Sequence, residues 1–430
     1  MYADDYQDSP YWWDAAPREQ LPSVTDSDLP KSVDVLIIGS GYTGLNAALQ
    51  TVRAGRSTLV VERDLVGYGC SSRNGGQAGT SFKPSLSRLE KKFGRDTAIR
   101  MSREGHRALQ YLKDLIEDEN IDCDFEQNGR LIGIHKRRAY DRVARSYQSI
   151  PDEIRHEFHM IPKAELRQEI GSDFFFGGCV LPAHGSLHPA KYHSELLQRV
   201  LSSGATVIDR CHATELEKNG SGFRVHTTKG TFDANDVILA TNGYTQRQFR
   251  WHDERILPIG SFQIATEVLP DSVTSELNPN ARVISDTQLI GNYFRLSPDH
   301  KRQIFGGRVT FTEATSQSGS KILYEQMLKI YPQLTGRKIT HSWVGFVAYT
   351  TDISPHIGVH EGVHYAMGYC GSGITLSSYF GMRVGQKVLR TKEGDTELDR
   401  LDFRPWPSFI QYKPVMAAAT QMTRLAENFI

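Results

Sequence analysis

The stretch "VDVLIIGSGYTGLNAALQTVRAGRSTLVVE", residues 33–62, decides how the rest of the chain is read. It opens with a short, β-branched apolar run that ends in Gly39. Leu45, Ala48, Leu49 and Val52 then recur at the spacing of one helix face, and a second apolar run, "STLVVE", closes on Glu62. Strand, helix and strand with glycine-ended turns make a β-α-β unit. Parallel strands joined in this way need cover on both faces, so a doubly wound α/β domain is predicted.

Within the unit, "GSGYTG" carries Gly39, Gly41 and Gly44 in G-x-G-x-x-G spacing, with Tyr42 and Thr43 opening the helix. Gly39 permits a tight exit from the strand. Gly41 lets a pyrophosphate approach the amide groups at the helix N-terminus, and Gly44 lets helix and strand pack closely. Glu62 stands about 20 residues on, where a carboxylate accepts both hydroxyls of a ribose. The context predicts a dinucleotide site. A 2′-phosphate would meet the Glu62 carboxylate, which argues against NADP and leaves FAD and NAD.

Two distant segments fit the same sheet. In "GFRVHTTKGTFDANDVILATNGYT" (222–245), alternating strands form a hairpin around Lys229 and Gly230 and lead into the buried-looking run from Val237 to Ala240. In "GVHYAMGYCGSGITLSSYFGMRVGQKVL" (362–389), a strand ends at Met367, a glycine-rich turn follows, and a helix runs from about Ile374 to near Leu389. The intervening segments mix amphipathic helix with alternating strand, as in "GHRALQYLKDLIEDEN" and "NYFRLSPDHKRQIFGGRVTFT", which suits an α+β second domain. The expected division is an N-terminal arm (1–30), a discontinuous cofactor domain (31–104, 180–249 and 340–395), a mixed-sheet substrate domain (105–179 and 250–339), and a C-terminal segment (396–430) packed on the body.

Bulk properties narrow the partners. With 430 residues the chain exceeds one compact core of usual size. Fifty basic residues balance 50 acidic ones, which gives no electrostatic reason to expect nucleic acid or a membrane surface. The five cysteines are scattered and odd in number, against a disulfide framework or a zinc knuckle, and a reducing cytoplasm is the expected home. The acidic, aromatic N-terminus lacks the pattern of a secretion signal, and no apolar run reaches the ~20 residues of a membrane span. Trp12 and Trp13 are expected to pack down on the protein itself. His184 and His188 in "HGSLH" have a metal-like spacing without a third ligand, so they read as part of the turn into the next helix, and no metal is expected.

In this order along nearly the whole chain, "YWWDAAP", "IIGSGYTGLNAAL", "GYGCSSRNGGQ", "HGSLHPAKYHSELL", "VILATNGYT", "LPIGSFQIATEVL", "YFRLSPD…FGGR" and "GYCGSGITLSSYFGMRVG" resemble the D-amino-acid-oxidase-like superfamily of FAD-dependent amine oxidoreductases. The closest likeness is to its gamma-glutamylputrescine oxidoreductase branch. The resemblance implies a two-dinucleotide-binding-type FAD domain, a doubly wound sheet plus β-meander, interleaved with a mixed-sheet substrate domain. It implies FAD across the domain interface and a small amine substrate whose C–N bond is oxidised by hydride transfer to flavin N5. The imine is then hydrolysed to aldehyde or keto acid plus amine or ammonia. An oxidase or dehydrogenase of N-methylated, cyclic or D-amino acids is the alternative, and a non-catalytic flavin-fold binding protein is the alternative of another class.

The same resemblance distributes the cofactor contacts. Besides the glycine turn and Glu62 with Arg63, they fall on the loop Gly69, Cys70, Ser71, Ser72, Arg73, Asn74, Gly75, Gly76 and Gln77, whose small residues allow close backbone approach. Ser71 and Ser72 are expected on ribityl or phosphate oxygens, and Arg73 and Asn74 beside the flavin ring. Ala213, Ala240, Thr241, Asn242 and Gly243 come from the second signature. Gly371, Ser372, Gly373, Ile374 and Thr375 open a helix whose amide groups suit the negative charge that grows at N1 and O2 of the ring.

For the substrate, Arg295 and Arg308 are candidates to fork a carboxylate, or else to brace the domain interface. Tyr349, Trp343 and Tyr369 are candidates to wall the amine pocket. Relatives that attach flavin covalently use a cysteine in the segment matching "HSWVGFVAYTTDISP"; none is present there, so FAD is expected to be non-covalent. Cys370 reads as an inert buried thiol. No lysine in "RQIFGGR" matches the one that promotes reaction with oxygen in those relatives, so the electron acceptor stays open between O2 and another redox partner.

Overall fold

The structure, a computed structural model, describes residues 1–18, 21, 29–288, 291–308 and 315–411, and for Arg308 and Gln411 it describes the backbone alone. The β-α-β unit lies at the centre of an eight-stranded sheet. Ser32–Ile38 pairs in parallel with Thr58–Val61 on one side and with Gly230–Leu239 on the other, and Thr206–Ile208 extends the sheet beyond Thr58–Val61. Val35, Leu36 and Ile37 are wholly buried, as a strand covered on both faces requires.

Gly230–Leu239 divides its outer edge between two neighbours. Its first half pairs antiparallel with Gly222–Thr227, which pairs in turn with Ala213–Asn219, and its second half pairs in parallel with Val363–Met367. The hairpin turns at Lys229 and Gly230 and the later strand ends at Met367, as the sequence predicts. One face of the sheet is covered by helices Tyr42–Arg53 and Gly373–Val388, which share a core of Leu45, Ala48, Leu49, Phe380 and Val384. The two helices touch closely because Gly381 has no Cβ to meet the Thr43 carbonyl, 2.5 Å from where one would stand. The β-meander closes the other face over Leu36, Ile38, Val225 and Phe232.

A nine-stranded sheet faces the first. Its order is Tyr2–Gln7, Ile339–Tyr349, Leu257–Thr266, Gln303–Arg308, Asn292–Leu296, Val283–Asp286, Arg130–Ile134, Gly177–Leu181 and His159–Ile161. Residues 2–7, expected as part of an N-terminal arm, form its edge strand, and Ile339–Tyr349, expected with the cofactor domain (340–395), runs inside this sheet, paired with Leu257–Thr266. Helix Ser316–Ile330 covers one face, where Phe262, Ile264, Phe294, Phe305 and Leu323 make a core. Side chains alternate along a strand, so Ser261 and Gln263 look out of the other face, beside Tyr293.

Trp12 is fully buried and Trp13 half-buried. His188 caps helix Pro189–Ser202, its Nδ1 accepting from the Lys191 amide at 3.2 Å. All five cysteines are free thiols. Phe403 stacks on His356 with ring centroids 4.2 Å apart, which seats the C-terminal segment as far as the described residues go; residues 412–430 of that expected segment lie outside them. No described helix is long and apolar enough to cross a membrane.

Candidate active site

A cavity of about 470 Å³ runs between the two sheets. Its lining includes Glu62, Arg63, Ala213, Ala240 and Thr241 from the first sheet and its loops, and Tyr349, Tyr369, Gly371, Ser372, Gly373, Ile374 and Thr375. Ser261, Gln263 and Tyr293 form the wall from the nine-stranded sheet.

The glycine turn is shaped as the sequence predicts. Gly39 has φ +107°, in the region that favours glycine, and a Cβ there would stand 3.0 Å from the Ala240 carbonyl oxygen. A Cβ on Gly41 would stand 2.9 Å from Ser71 Oγ, and one on Gly44 would run into the Gly39 carbonyl. Gly41 and Gly39 therefore open the cavity wall, whereas Gly44 holds helix against strand behind it. Ser71 Oγ accepts from the Tyr42 amide at 2.9 Å, at the first turn of a helix that has no cap from its own N-cap side chain. Glu62 accepts from the Ser40 amide (3.0 Å) and hydroxyl (2.8 Å) on one oxygen and from the Asp64 amide (3.1 Å) on the other. A carboxylate has about four acceptor positions, so these three orient it and leave room for a ligand hydroxyl.

The loop of residues 67–77 is held at both of its conspicuous side chains. Asn74 staples the loop to itself, donating to the carbonyls of Cys70 (3.0 Å) and Ser71 (3.1 Å) and accepting from the Gly76 amide (2.9 Å). Arg73 lines the cavity with its guanidinium 4.4 Å over the Tyr68 ring and 4.8 Å over Trp13, and its Nη1 donates to the Val344 carbonyl at 2.9 Å. The Arg73 carbonyl accepts from both Gln263 Nε2 (2.6 Å) and Trp343 Nε1 (2.8 Å). The position of the loop thus rests on its backbone, and the arginine side chain is presented by it.

The turn of residues 368–373 is left-handed at Gly368, Cys370 and Gly371. Asn242 Oδ1 accepts from the Gly368 amide at 2.9 Å, tying this turn to the second signature. Tyr369 is a strut, its hydroxyl bonded to Thr43 Oγ1 (2.7 Å) and donating to the Ala366 carbonyl (3.0 Å). Burial pushes the Cys370 thiol up to about 11, which fits an unreactive group. Tyr349 faces the same turn, with its hydroxyl 3.6 Å from where a Cβ on Gly371 would stand, and its carbonyl accepts from Trp406 Nε1 at 3.0 Å.

The sequence pattern of the family described as "DAO: FAD dependent oxidoreductase" matches residues 34–387. The chain belongs to this family. It is 30% identical over 394 residues to the probable oxidoreductase OrdL of Haemophilus influenzae, covering 90% of this chain and 88% of the relative. It is 26% identical over 378 residues to the gamma-glutamylputrescine oxidoreductase of Escherichia coli, covering 87% and 88%. Among solved structures it matches glycine oxidase from Geobacillus kaustophilus with a TM-score of 0.70 at 20% identity, over 88% of this chain and 99% of that one.

The protein is thus an FAD-dependent oxidoreductase of the DAO family. The cavity fits the cofactor. Gly39 and Gly41 line the cavity at the N-terminus of helix Tyr42–Arg53, where they pack against Ala240 and Ser71 and where a pyrophosphate would meet free amide groups, and Glu62 is oriented at the adjacent strand end. Glu62→Ala is expected to weaken FAD binding by about 1.5–3 kcal/mol, the scale of hydrogen bonds to a charged group. Titration of apoprotein with FAD, followed by flavin fluorescence, checks this; wild-type affinity in the variant would show that the ribose is held elsewhere.

Most of the expected cofactor residues line this one cavity: Gly39, Gly41, Tyr42, Thr43, Glu62, Arg63, Gly69, Cys70, Ser71, Arg73, Asn74, Gly75, Gln77, Ala213, Ala240, Thr241, Asn242 and residues 371–375. Four expected cofactor residues stand behind it. Gly44 packs the helix; Ser72 is engaged with the Gly67 carbonyl and with Trp13 Nε1 (2.8 Å); Gly76 and Gly243 lie where a Cβ would strike the Leu187 and Phe346 carbonyls. Two of the expected substrate residues are also turned away from it. Arg295 is buried and donates to the carbonyls of Leu296 (2.9 Å), Gly76 (3.1 Å) and Leu187 (2.9 Å), so it braces the loop and does not reach the cavity. Trp343 is buried with Trp12 and Ile304 and holds the Arg73 carbonyl. Arg308 pairs with the cavity-lining Ser261 in register, and its side chain lies outside the described residues.

The sequence reading missed the polar wall of Ser261, Gln263 and Tyr293, as well as Lys83 and Arg130, which also line the cavity. Ser261 and Gln263 were detectable as polar residues at alternate positions in the apolar run "LPIGSFQIAT".

Proposed function

We propose that the protein oxidises the C–N bond of a small γ-glutamylated or otherwise N-substituted amine. The observation that carries this reading is that one cavity is lined both by the left-handed turn at Cys370 and Gly371, with Tyr349 against it, and by the polar wall of Ser261, Gln263 and Tyr293. Bound FAD supplies a two-electron acceptor for the hydride leaving the carbon beside nitrogen. The amine nitrogen loses a proton, and water converts the imine to aldehyde or keto acid plus amine or ammonia.

The chain's own residues serve that step by placement. Tyr349 and Tyr369 wall the space beside the turn, and Tyr349 is fixed from behind through Trp406. The turn of residues 368–373 lines the cavity and leads into the start of helix Gly373–Val388, whose field favours negative charge. Arg73 is the cation of the loop on the cofactor side. The relative named gamma-glutamylputrescine oxidoreductase supports the amine reading. The amino-acid alternative called on Arg295 or Arg308 for the carboxylate, and Arg295 is committed to backbone carbonyls. We further propose that the first sheet, with the helices on it, carries the cofactor and that the nine-stranded sheet carries the substrate wall. FAD is held non-covalently, and O2 or a redox partner reoxidises it. The test is an anaerobic panel of γ-glutamyl amines, N-alkyl amines and amino acids scored by loss of the oxidised flavin absorbance. Bleaching by the first two classes supports the reading, and bleaching by amino acids alone replaces it with the alternative.

A further inference from the structure

The tandem tryptophans near the N-terminus hold Arg73 at both its backbone and its side chain. They open the short helix Trp12–Ala15, which is pinned to the nine-stranded sheet. Asp14 is hydrogen-bonded to His341 Nε2 at 2.8 Å. Trp12 is wholly buried, edge-on to His188, and shares a core with Ala265, Ile304 and Trp343. Trp343 donates to the Arg73 carbonyl, so this core fixes the backbone of the arginine. Trp13, next in the chain, meets the side chain: the guanidinium carbon of Arg73 stands 4.8 Å over its ring. The Trp13 Nε1 donates to Ser72 Oγ at 2.8 Å, which ties the indole to the residue before Arg73.

Little else sets the guanidinium. Its stem runs past Gly345, where a Cβ would stand 3.2 Å from Arg73 Cδ, and Nη1 donates to the Val344 carbonyl at 2.9 Å. Nε is buried with no partner. A group rich in donors is thus placed mainly by the two rings it lies over, Tyr68 at 4.4 Å and Trp13. Tyr68 belongs to the same loop and is exposed, so it shares any shift of the arginine. Trp13 comes from a separate segment anchored on the other sheet, and it alone of the two is an outside reference. Arg18 lies over the same indole at 3.9 Å, with its Nη1 also buried without a partner. A cation over an indole face is held about 2-fold more firmly when exposed and about 30-fold when desolvated, and the half-buried Trp13 stands between these limits.

We propose that Trp13 is a positioning residue for flavin reduction, holding the Arg73 guanidinium in the cavity wall where it meets the charge that the ring gains. The inference rests on the reading that sets Arg73 beside the flavin ring. A fixed cation there stabilises the negative charge that grows on reduction, at no cost of reorganisation. That attraction falls with distance, and it falls further once solvent enters between the charges. A guanidinium released from the indole therefore keeps its charge and loses its effect. Arg73 lines the cavity and Trp13 does not, so the tryptophan acts through the arginine.

The experiment is a double-mutant cycle on the FAD-loaded protein with Trp13→Leu, Arg73→Ala and the two combined. The midpoint potential of the bound flavin is read by equilibration with a reference dye, and its reduction by anaerobic rapid mixing with a reducing amine. Trp13→Leu is expected to make the potential more negative and to slow reduction about 5–30-fold, less than Arg73→Ala does. In the Arg73→Ala background the same substitution is expected to move neither. Trp13→Phe keeps a ring face and loses the N–H, and is expected to recover most of both. An unmoved potential in Trp13→Leu overturns the proposal. So does a loss that persists in the Arg73→Ala background, as it would if the indole acted by holding Arg18 or the fold. If Trp13→Leu fails to fold, Trp13→Phe carries the cycle: a small shift that vanishes without Arg73 supports the proposal, and one that persists overturns it. The potentials need no amine, so a flavin that no amine bleaches would sink the amine reading and leave the cycle to decide on Trp13. A potential unmoved by Arg73→Ala would remove Arg73 from the ring and the proposal with it.

Discussion

Arg73→Ala is expected to slow anaerobic reduction of bound FAD by about 10²-fold, the usual cost of removing one preorganised group aimed at developing charge. The fold should tolerate the change. The Arg73 carbonyl stays fixed by Gln263 and Trp343, and Asn74 staples the loop without help from the arginine. What is lost is a guanidinium stacked on Tyr68 and Trp13 in the cavity wall. Rapid-mixing kinetics with a reducing amine, alongside thermal melts, separate the two effects. A normal reduction rate with weakened FAD affinity would move Arg73 to the pyrophosphate, and no change in either would remove it from the site.

Gly44→Ala is expected to have the largest effect on the folded cofactor domain. The added methyl would enter the space of the Gly39 carbonyl and stand 3.3 Å from Ile37 Cγ2. Backbone atoms cannot rotate aside as a side-chain tip does, so the helix Tyr42–Arg53 must shift from the strand Ser32–Ile38. That shift distorts Gly39 and Gly41 together, and overpacking of this kind costs about 3 kcal/mol. Denaturant melts and the FAD content of the purified variant measure it. A variant that melts with wild-type stability and retains FAD would show that helix and strand are free to separate.

These two residues also mark how much was legible in the sequence. Gly44, Glu62 and the parallel strands around them follow from 30 contiguous residues, where apolar periodicity, glycine spacing and strand length agree. The hairpin at Lys229 and Gly230 and the helix from Gly373 are local in the same sense. The loop of residues 67–77 was legible as a segment set apart for a ligand and it lines the cavity, but the division of labour in which Asn74 ties the backbone and Arg73 is displayed was not legible.

The polar wall of Ser261, Gln263 and Tyr293 was less legible because register across distant strands creates it. Tyr293 faces the cavity, whereas Arg295, two residues on and on the same face, lies roughly 7 Å farther along the strand and meets the Gly76 and Leu187 carbonyls. Arg130 meets Ser81 across 49 residues of sequence, and nothing local to either residue announces the pairing. Alternation identifies the face of a strand; position along it is a tertiary fact.

The most direct measurement is anaerobic titration of the FAD-loaded protein with a carboxylate-bearing secondary amine, followed by absorbance near 450 nm, where oxidised flavin absorbs. The expected result is stoichiometric bleaching by the amine, recovery on admitting an electron acceptor, and release of the corresponding aldehyde or keto acid. Protein that holds FAD in this cavity and stays oxidised through the whole range of amines and amino acids would contradict the account.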